Sequence, residues 1–400
     1  MQHTDLLSQF FCRLWVKKET SLRDFNKNIG QLVRGDVVSE HICGEGAMMR
    51  NFWIKIKSRL RPPRKNAAPS ALICSEVFES MSILADGSVT CACTDIFEGR
   101  VLGNVNTQPL EEIFGGERYR DLRRRMISGD LPPQCVRCPL RVRPRTGNET
   151  VEGRGIQWLQ IDPIFNCNLR CPNCDLTRMW EENFFIRPRT ALSLEAFKKV
   201  IDEASPTLKH IRFHMLGEPL MNPQSVDMLR YAREKIPHLF ISIETNGLFI
   251  GAEMQKALVE TSVDYVKISV DGASQETYVQ YRVGGDFSKV YQNMAGLVAT
   301  RNAAGSDRPR ITWQYILFEW NDSDEEIQRA QELARMAGVD HLYWLATHST
   351  CASKRFLPGG KYPIFEGEGQ SFNMTLEIAA SRGESMARPA ASLDAYDPWK

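Results

Sequence analysis

Residues 166–174 read NCNLRCPNC, placing Cys167, Cys171 and Cys174 in a C-x3-C-x2-C run just after an apolar, strand-like segment, Ile156 to Ile161. Three thiolates on one short loop hold a metal centre but leave it one ligand short. Structural zinc is usually closed by a fourth Cys or His, often from C-x2-C pairs. An iron–sulfur cluster with one iron open to a substrate or cofactor matches a count of three better. A zinc-binding or simply buried cysteine loop is the plain alternative.

Downstream, strand-like runs at Ile211–Leu216, Phe240–Ile243, Val266–Val270, Ile311–Phe318 and His341–Leu345 alternate with helical patterns. Leu194, Phe197, Val200, Ile201 and Ala204 make one apolar helix face, with Ser193 as its N-cap. Further helical stretches lie near 223–235, 251–261, 287–301 and 324–337. Six strands separated by helices predict an α/β fold, a parallel and partly closed (β/α)6 barrel over residues 156–350. Function in such folds gathers at the carboxyl ends of the strands. Gly217-Glu218-Pro219, Thr245-Asn246-Gly247 and Ser269-Val270-Asp271-Gly272, then Tyr281-Arg282, all fall at such ends. A carboxylate beside a Gly turn can accept hydrogen bonds from a cationic amine, and a guanidinium is the natural bidentate partner of a carboxylate.

Upstream, residues 67–145 hold a second cysteine set. Ser82 to Cys93 (SILADGSVTCAC) reads as a hairpin about Asp86-Gly87. Cys74 precedes it, Cys91 and Cys93 sit on its second strand, and the Cys135-x2-Cys138 pair follows. Helical character from Pro109 to Met126 is interrupted at Gly115-Gly116. Four thiolates from a hairpin and a downstream knuckle can close around one metal centre, either a cluster or a zinc knuckle.

Together the motifs from about residue 70 to 346 resemble the radical S-adenosylmethionine (radical SAM) enzymes, with a SPASM/twitch-like auxiliary-cluster domain placed before the core instead of after it. In that resemblance Cys167, Cys171 and Cys174 hold a [4Fe–4S] cluster whose open iron chelates S-adenosylmethionine (SAM). Gly217, Glu218 and Pro219 match the GGE element that meets the SAM amine, Asn246 the TNG turn, and Ser269, Asp271 and Arg282 the SDG and YR elements near its carboxylate. One auxiliary [4Fe–4S] cluster would take Cys74, Cys135, Cys138 and a hairpin ligand, with Cys93 favoured for its neighbour Asp95 and Cys91 open. Asn173 stands where many members carry an aromatic residue.

The resemblance implies reductive cleavage of SAM to a 5′-deoxyadenosyl radical that takes a substrate hydrogen atom, with the cofactor carrying the hard chemistry. It points to dehydrogenation of a small-molecule or sugar carbinol, the auxiliary cluster taking the electron. Redox-neutral epimerisation with Cys351 as hydrogen-atom donor, peptide maturation, and a non-catalytic zinc-stabilised binding module are the alternatives. A flavodoxin- or ferredoxin-type electron donor is expected. His214 (read as mid-strand) and the late-strand Trp313, Tyr315 and Trp344 are weaker candidates, each also readable as core.

Composition narrows the rest. Apolar residues make up 42% and charged residues 25% of the 400, and a formal net charge of +1 gives no reason to expect nucleic acid. No apolar run is long enough to span a membrane, the first residues lack a secretory pattern, and the close cysteine spacings favour metal ligation in a reducing cytoplasm. Residues 1–66 are a helical and basic lead-in, with seven basic residues and no acid between Arg50 and Lys65. Residues 351–400 form a partly flexible extension in which Phe365, Phe372 and Leu376 are candidates to cap the barrel.

Overall fold

The computed structural model describes residues 73–91, 101–132, 135–136, 141–142, 149–181, 190–347, 349 and 351–374. The lead-in before residue 73, Cys93, Asp95, Cys138 and Leu376 lie outside the described residues.

Among the described residues, β4 (Trp158–Ile161), β5 (His210–Phe213), β6 (Phe240–Thr245), β7 (Tyr265–Ser269), β8 (Arg310–Leu317), β9 (His341–Ala346) and β10 (Gln370–Met374) are seven mutually parallel strands, preceded by a three-stranded meander of β1 (Ser80–Ile83), β2 (Ser88–Thr90) and β3 (Gly103–Asn104) whose β1 is parallel to them. The sheet order is β10-β9-β8-β7-β6-β5-β4-β1-β2-β3. The first six of the seven are the strands expected from the sequence.

Strict alternation explains why these segments pair. Along β7, Val266 and Ile268 are fully buried in the apolar core, while Tyr265, Lys267 and Ser269 between them lie half-buried on the opposite face. Helices cover the first face. Leu194–Ala204 starts at Ser193, whose side chain accepts from the Ala196 N–H, and Asp324–Ala337 starts at Ser323 and ends on Gly338 at φ +71°. The opposite face is concave and carries polar residues such as Gln160, Arg212, Ser242, Glu244, Lys267 and Gln314.

The structure departs from these expectations at several points. β5 ends at Phe213, not Leu216, because Asp162 Oδ1 draws the Leu216 and Gly217 N–H groups, each at 3.3 Å, away from the ladder. His214 is therefore the first residue beyond the strand. The helix Gln275–Tyr281 was hidden in a polar stretch; Ser274 and Thr277 close a capping box at its start. The segment after residue 351 supplies β10, whose Phe372 stacks on the buried Phe365 with ring centroids 5.2 Å apart. Trp313, Tyr315 and Trp344 are fully buried on the helix-covered face, so they are core and not cavity lining; the Trp313 indole donates to the Val270 carbonyl at 2.7 Å.

The cysteine-rich segment does not hang apart from the barrel. β1 pairs in parallel with β4 along its whole length, Ser80 opposite Trp158 through Ile83 opposite Ile161. The hairpin turn is as read: Gly87 at φ +81° supplies the left-handed backbone and Asp86 Oδ1 accepts from the Ser88 N–H at 2.9 Å. β2 stops at Thr90, which places Cys91 one residue beyond the strand and not on it.

A buried guanidinium ties this segment together. Arg123, in the helix Glu117–Ser128, donates to the carbonyls of Val77 (2.7 Å), Phe114 (2.9 Å), Val151 (3.1 Å) and Glu152 (3.3 Å), and lies 4.0 Å over the Phe114 ring. Burial pulls its pKa down to about 10, where it remains charged at neutral pH. Arg123→Met strips four carbonyls of their donor and is expected to destabilise the segment by about 3 kcal/mol. Hydrogen exchange of β1 and β2 amides would accelerate by about two orders of magnitude on the same estimate. Unchanged exchange would show that the cluster of carbonyls is not what holds the segment.

Candidate functional site

The cysteine loop leaves β4 and enters the helix Asp175–Glu181. The Cys174 N–H closes a turn onto the Cys171 carbonyl at 3.0 Å, and the Leu169 N–H points at Cys167 Sγ at 3.4 Å. Cys167, Cys171 and Cys174 form no disulfide, and Cys171 is only 6% exposed. Burial pushes the Cys167 thiol up to about 11 and the Cys171 thiol up as well. Bare thiolates are therefore disfavoured here, and a cationic iron centre supplies the charge that would stabilise them. Among the described residues no group of three or more His, Cys, Asp and Glu is placed to hold a metal ion. Soft sulfur donors on one exposed-to-buried loop, with an N–H on sulfur, fit an iron–sulfur cluster.

Two strand ends converge on that loop. Glu218, 3% exposed, accepts from the Thr245 hydroxyl at 2.6 Å and the Leu220 N–H at 3.3 Å through Oε1, and from the Asn246 N–H at 2.7 Å through Oε2. It joins the Gly217-Glu218-Pro219 turn to the Thr245-Asn246-Gly247 turn. Burial outweighs these donors and raises its pKa to about 6. Asn246 then reaches the cysteine loop, its Nδ2 donating to Asn168 Oδ1 at 2.8 Å and lying 3.9 Å from Cys167 Sγ. Asn168 escaped sequence reading because a loop asparagine carries no pattern.

On the other side, Arg282 places Nε at 2.6 Å and Nη2 at 2.5 Å from Asp271 Oδ2, and Nη1 3.8 Å from Cys171 Sγ. Burial works to lower its pKa, but Asp271 and then Cys171 hold it well above its ordinary value. The other Asp271 oxygen accepts from the Ile316 N–H at 2.7 Å. The ion pair is thus buried and spans the sheet end, with one guanidinium nitrogen left toward the cysteines. Ser269 lies on the concave face, its hydroxyl accepting from Gln314 at 3.3 Å.

The concave face below these turns is polar. Register sets Glu244, Lys267 and Thr312 in one row across β6, β7 and β8, and Asp162 and His214 are the first residues beyond the ends of β4 and β5. Glu244 Oε1 lies 2.9 Å from Lys267 Nζ and 3.3 Å from His214 Nε2. Against the upward push of burial, His214 and Lys267 hold the Glu244 pKa down at about 2, and burial lowers that of His214 to about 4. Lys267 and Glu244 were missed because single charges inside apolar strand runs look like solvent positions; strict alternation was the available signal.

Of the second cysteine set, Cys74 and Cys91 are buried and Cys135 is half-buried against the same core. Cys93 and Cys138 lie outside the described residues, so the choice between Cys91 and Cys93 stays open. Cys351 sits in the loop after β9, at the carboxyl end of the sheet, where its carbonyl accepts from the Glu319 N–H at 3.1 Å.

The model of the radical SAM superfamily matches residues 161–301, and that of an iron–sulfur cluster-binding domain, SPASM, matches residues 74–139. The tungsten-containing aldehyde ferredoxin oxidoreductase cofactor-modifying protein of Pyrococcus furiosus is 29% identical over 46% of this chain and 50% of its own length. The GTP 3′,8-cyclase of Limosilactobacillus fermentum is 32% identical over 42% of this chain and 48% of its own. The chain thus spans about half the length of the curated relatives it matches. The crystal structure of Streptococcus suis SuiB bound to S-adenosylmethionine is 16% identical, covering 47% of this chain and 40% of that one with a TM-score of 0.37. The radical SAM domain implies SAM and a SAM-binding [4Fe–4S] cluster, and the SPASM domain implies auxiliary [4Fe–4S] clusters. Among the described residues no helix is long and apolar enough to cross a membrane.

Proposed function

We propose that this chain, which belongs to the radical SAM superfamily and carries a SPASM domain ahead of its core, is an oxidoreductase that dehydrogenates a carbinol of a small molecule or sugar. Cys167, Cys171 and Cys174 hold the SAM-binding cluster, and Cys74, Cys135, Cys138 and either Cys91 or Cys93 hold one auxiliary cluster. When bound, these groups supply a 5′-deoxyadenosyl radical and a sink for one electron. The observation that carries the reading is the convergence of Asn246 and Arg282, from two separate strand ends, to 3.9 Å and 3.8 Å from the thiols of Cys167 and Cys171.

The protein's own part is placement. Arg282, oriented by Asp271, would offer its remaining N–H groups to the carboxylate of SAM. Glu218 locks the two turns so that Asn246 and the Gly217 backbone keep a fixed distance from the cysteine loop. The continuous pairing of β1 with β4 joins the hairpin that leads to Cys91 to the strand that leads into the cysteine loop. Such a fixed mount suits electron transfer out of a substrate radical and so favours oxidation.

Anaerobic reconstitution with iron and sulfide, then iron counting and a SAM-cleavage assay with a reductant, tests the reading. About eight irons per chain are expected for two [4Fe–4S] clusters, with 5′-deoxyadenosine formed. A screen of carbinol-bearing sugars and cyclitols deuterated at carbon should then give deuterated 5′-deoxyadenosine and a ketone. In D2O, a solvent deuteron on an inverted carbon would instead establish epimerisation. Bound zinc with no SAM cleavage would sink the proposal.

A further inference from the structure

The mechanism above leaves the charged row on the concave face without a task. Its centre is one oxygen, Glu244 Oε1, which faces Lys267 Nζ at 2.9 Å and His214 Nε2 at 3.3 Å. An ionised carboxylate only accepts, so a neutral imidazole beside it must carry its proton on Nε2 and leave Nδ1 bare. His214 Nδ1 is buried and has no hydrogen-bond partner among the described residues. One strand away, Gln160 donates through Nε2 to the His214 carbonyl at 3.2 Å, and its Oε1 is a second buried acceptor with no partner among the described residues. A ligand that satisfies both must bring O–H or N–H donors.

We propose that His214 is the proton acceptor of the reaction, its bare Nδ1 taking the hydroxyl proton of the substrate carbinol while Glu244 and Lys267 fix the tautomer. The proposal rests on the carbinol-oxidation reading. Loss of the carbon-bound hydrogen atom to the 5′-deoxyadenosyl radical leaves a carbon radical that still holds its O–H. Transfer of that proton to His214 Nδ1 and of one electron to the auxiliary iron–sulfur cluster, when bound, would complete the C=O bond. The imidazolium so formed lies against Glu244, which then bears the same relation to it as the carboxylate of a catalytic triad bears to its histidine. Gln160 Oε1 is the second acceptor for a neighbouring hydroxyl, which suits a polyol or sugar.

The charged groups around the ring are Glu244, Lys267 and Arg212. Burial and the two cations keep the imidazole neutral, and so able to accept, with its pKa lowered to about 4. The ionised Glu244 opposes them without reversing that direction.

The first test needs no substrate. In the full chain labelled with [15N]histidine, His214 should show a protonated Nε2 and a bare Nδ1 at neutral pH, and Glu244→Gln should mix the tautomers. A protonated Nδ1 would overturn the assignment whatever the enzyme turns over. The second test uses the carbinol found in the deuterium screen. His214→Gln should still form deuterated 5′-deoxyadenosine but lose ketone yield by about 100-fold. Full ketone yield in that variant would overturn the proposal while leaving the radical reading intact. Absence of 5′-deoxyadenosine from the wild-type enzyme would instead overturn the parent reading, and with it this step.

Discussion

Cys171→Ser is expected to lower the iron of the reconstituted chain from about eight to about four per molecule and SAM cleavage by at least ~10³-fold. Serine is nearly isosteric with cysteine, and the site is 6% exposed, so packing is preserved while the soft donor is lost. The Asp271–Arg282 pair, at 2.5 Å, needs no sulfur and stays in place. The fold therefore survives, and the deficit is confined to one cluster. Cys351→Ser provides the contrast: it lies outside both proposed ligand sets and should leave the iron count unchanged. Equal iron in Cys171→Ser and the wild type, with cleavage retained, would remove Cys171 from the ligands. A fall to zero iron would mean that the two cysteine sets do not load independently.

Much of this site could be read before any coordinates, and the reason is physical. Parallel strands with one face in the core alternate apolar residues with others, and their carboxyl ends carry the turns, so Cys167, Glu218, Asn246 and Arg282 announce themselves by position as well as by type. What stayed hidden depended on side chains that meet only across strands. His214 was read as mid-strand because Phe213, His214 and Met215 have no local break in pattern; Asp162, far away in sequence, ends the strand. Glu244 and Lys267 become a pair only once β6 and β7 are in register. β10 was missed because Gln370–Met374 holds one large aromatic among polar residues, and its pairing comes from Trp344 and Phe365. Trp313 and Tyr315 showed the converse: aromatic residues on late strands looked like a cavity wall, yet alternation sends them to the helix side.

Gly217→Ala is expected to disable the site from outside its chemistry. The backbone of Gly217 is not in the left-handed region, so the residue is not needed for its φ. It is needed for space. A Cβ there would stand 1.7 Å from the Ile164 carbonyl oxygen and 2.7 Å from that of Asn166, where real Cβ atoms stay beyond 3.0 Å. Both obstacles are backbone, and neither can turn aside as a side-chain tip would. The same Asn166 oxygen accepts from the Glu218 N–H at 2.8 Å, so the close approach is what joins the Gly217-Glu218-Pro219 turn to the start of the cysteine loop. Adding one methyl must either push that loop outward or pull Glu218 off the Asn246 N–H, at a cost of more than about 3 kcal/mol. Isothermal titration should show SAM affinity of the reconstituted variant lowered by at least ~10²-fold, a factor of ten for each 1.4 kcal/mol. Hydrogen exchange should rise at Glu218 and Asn246 while β8 and β9 keep their protection, which separates a displaced turn from global unfolding. Wild-type SAM affinity in Gly217→Ala would show that the turn and the loop move apart without consequence, and would remove the mechanical link between the second strand's end and the cluster.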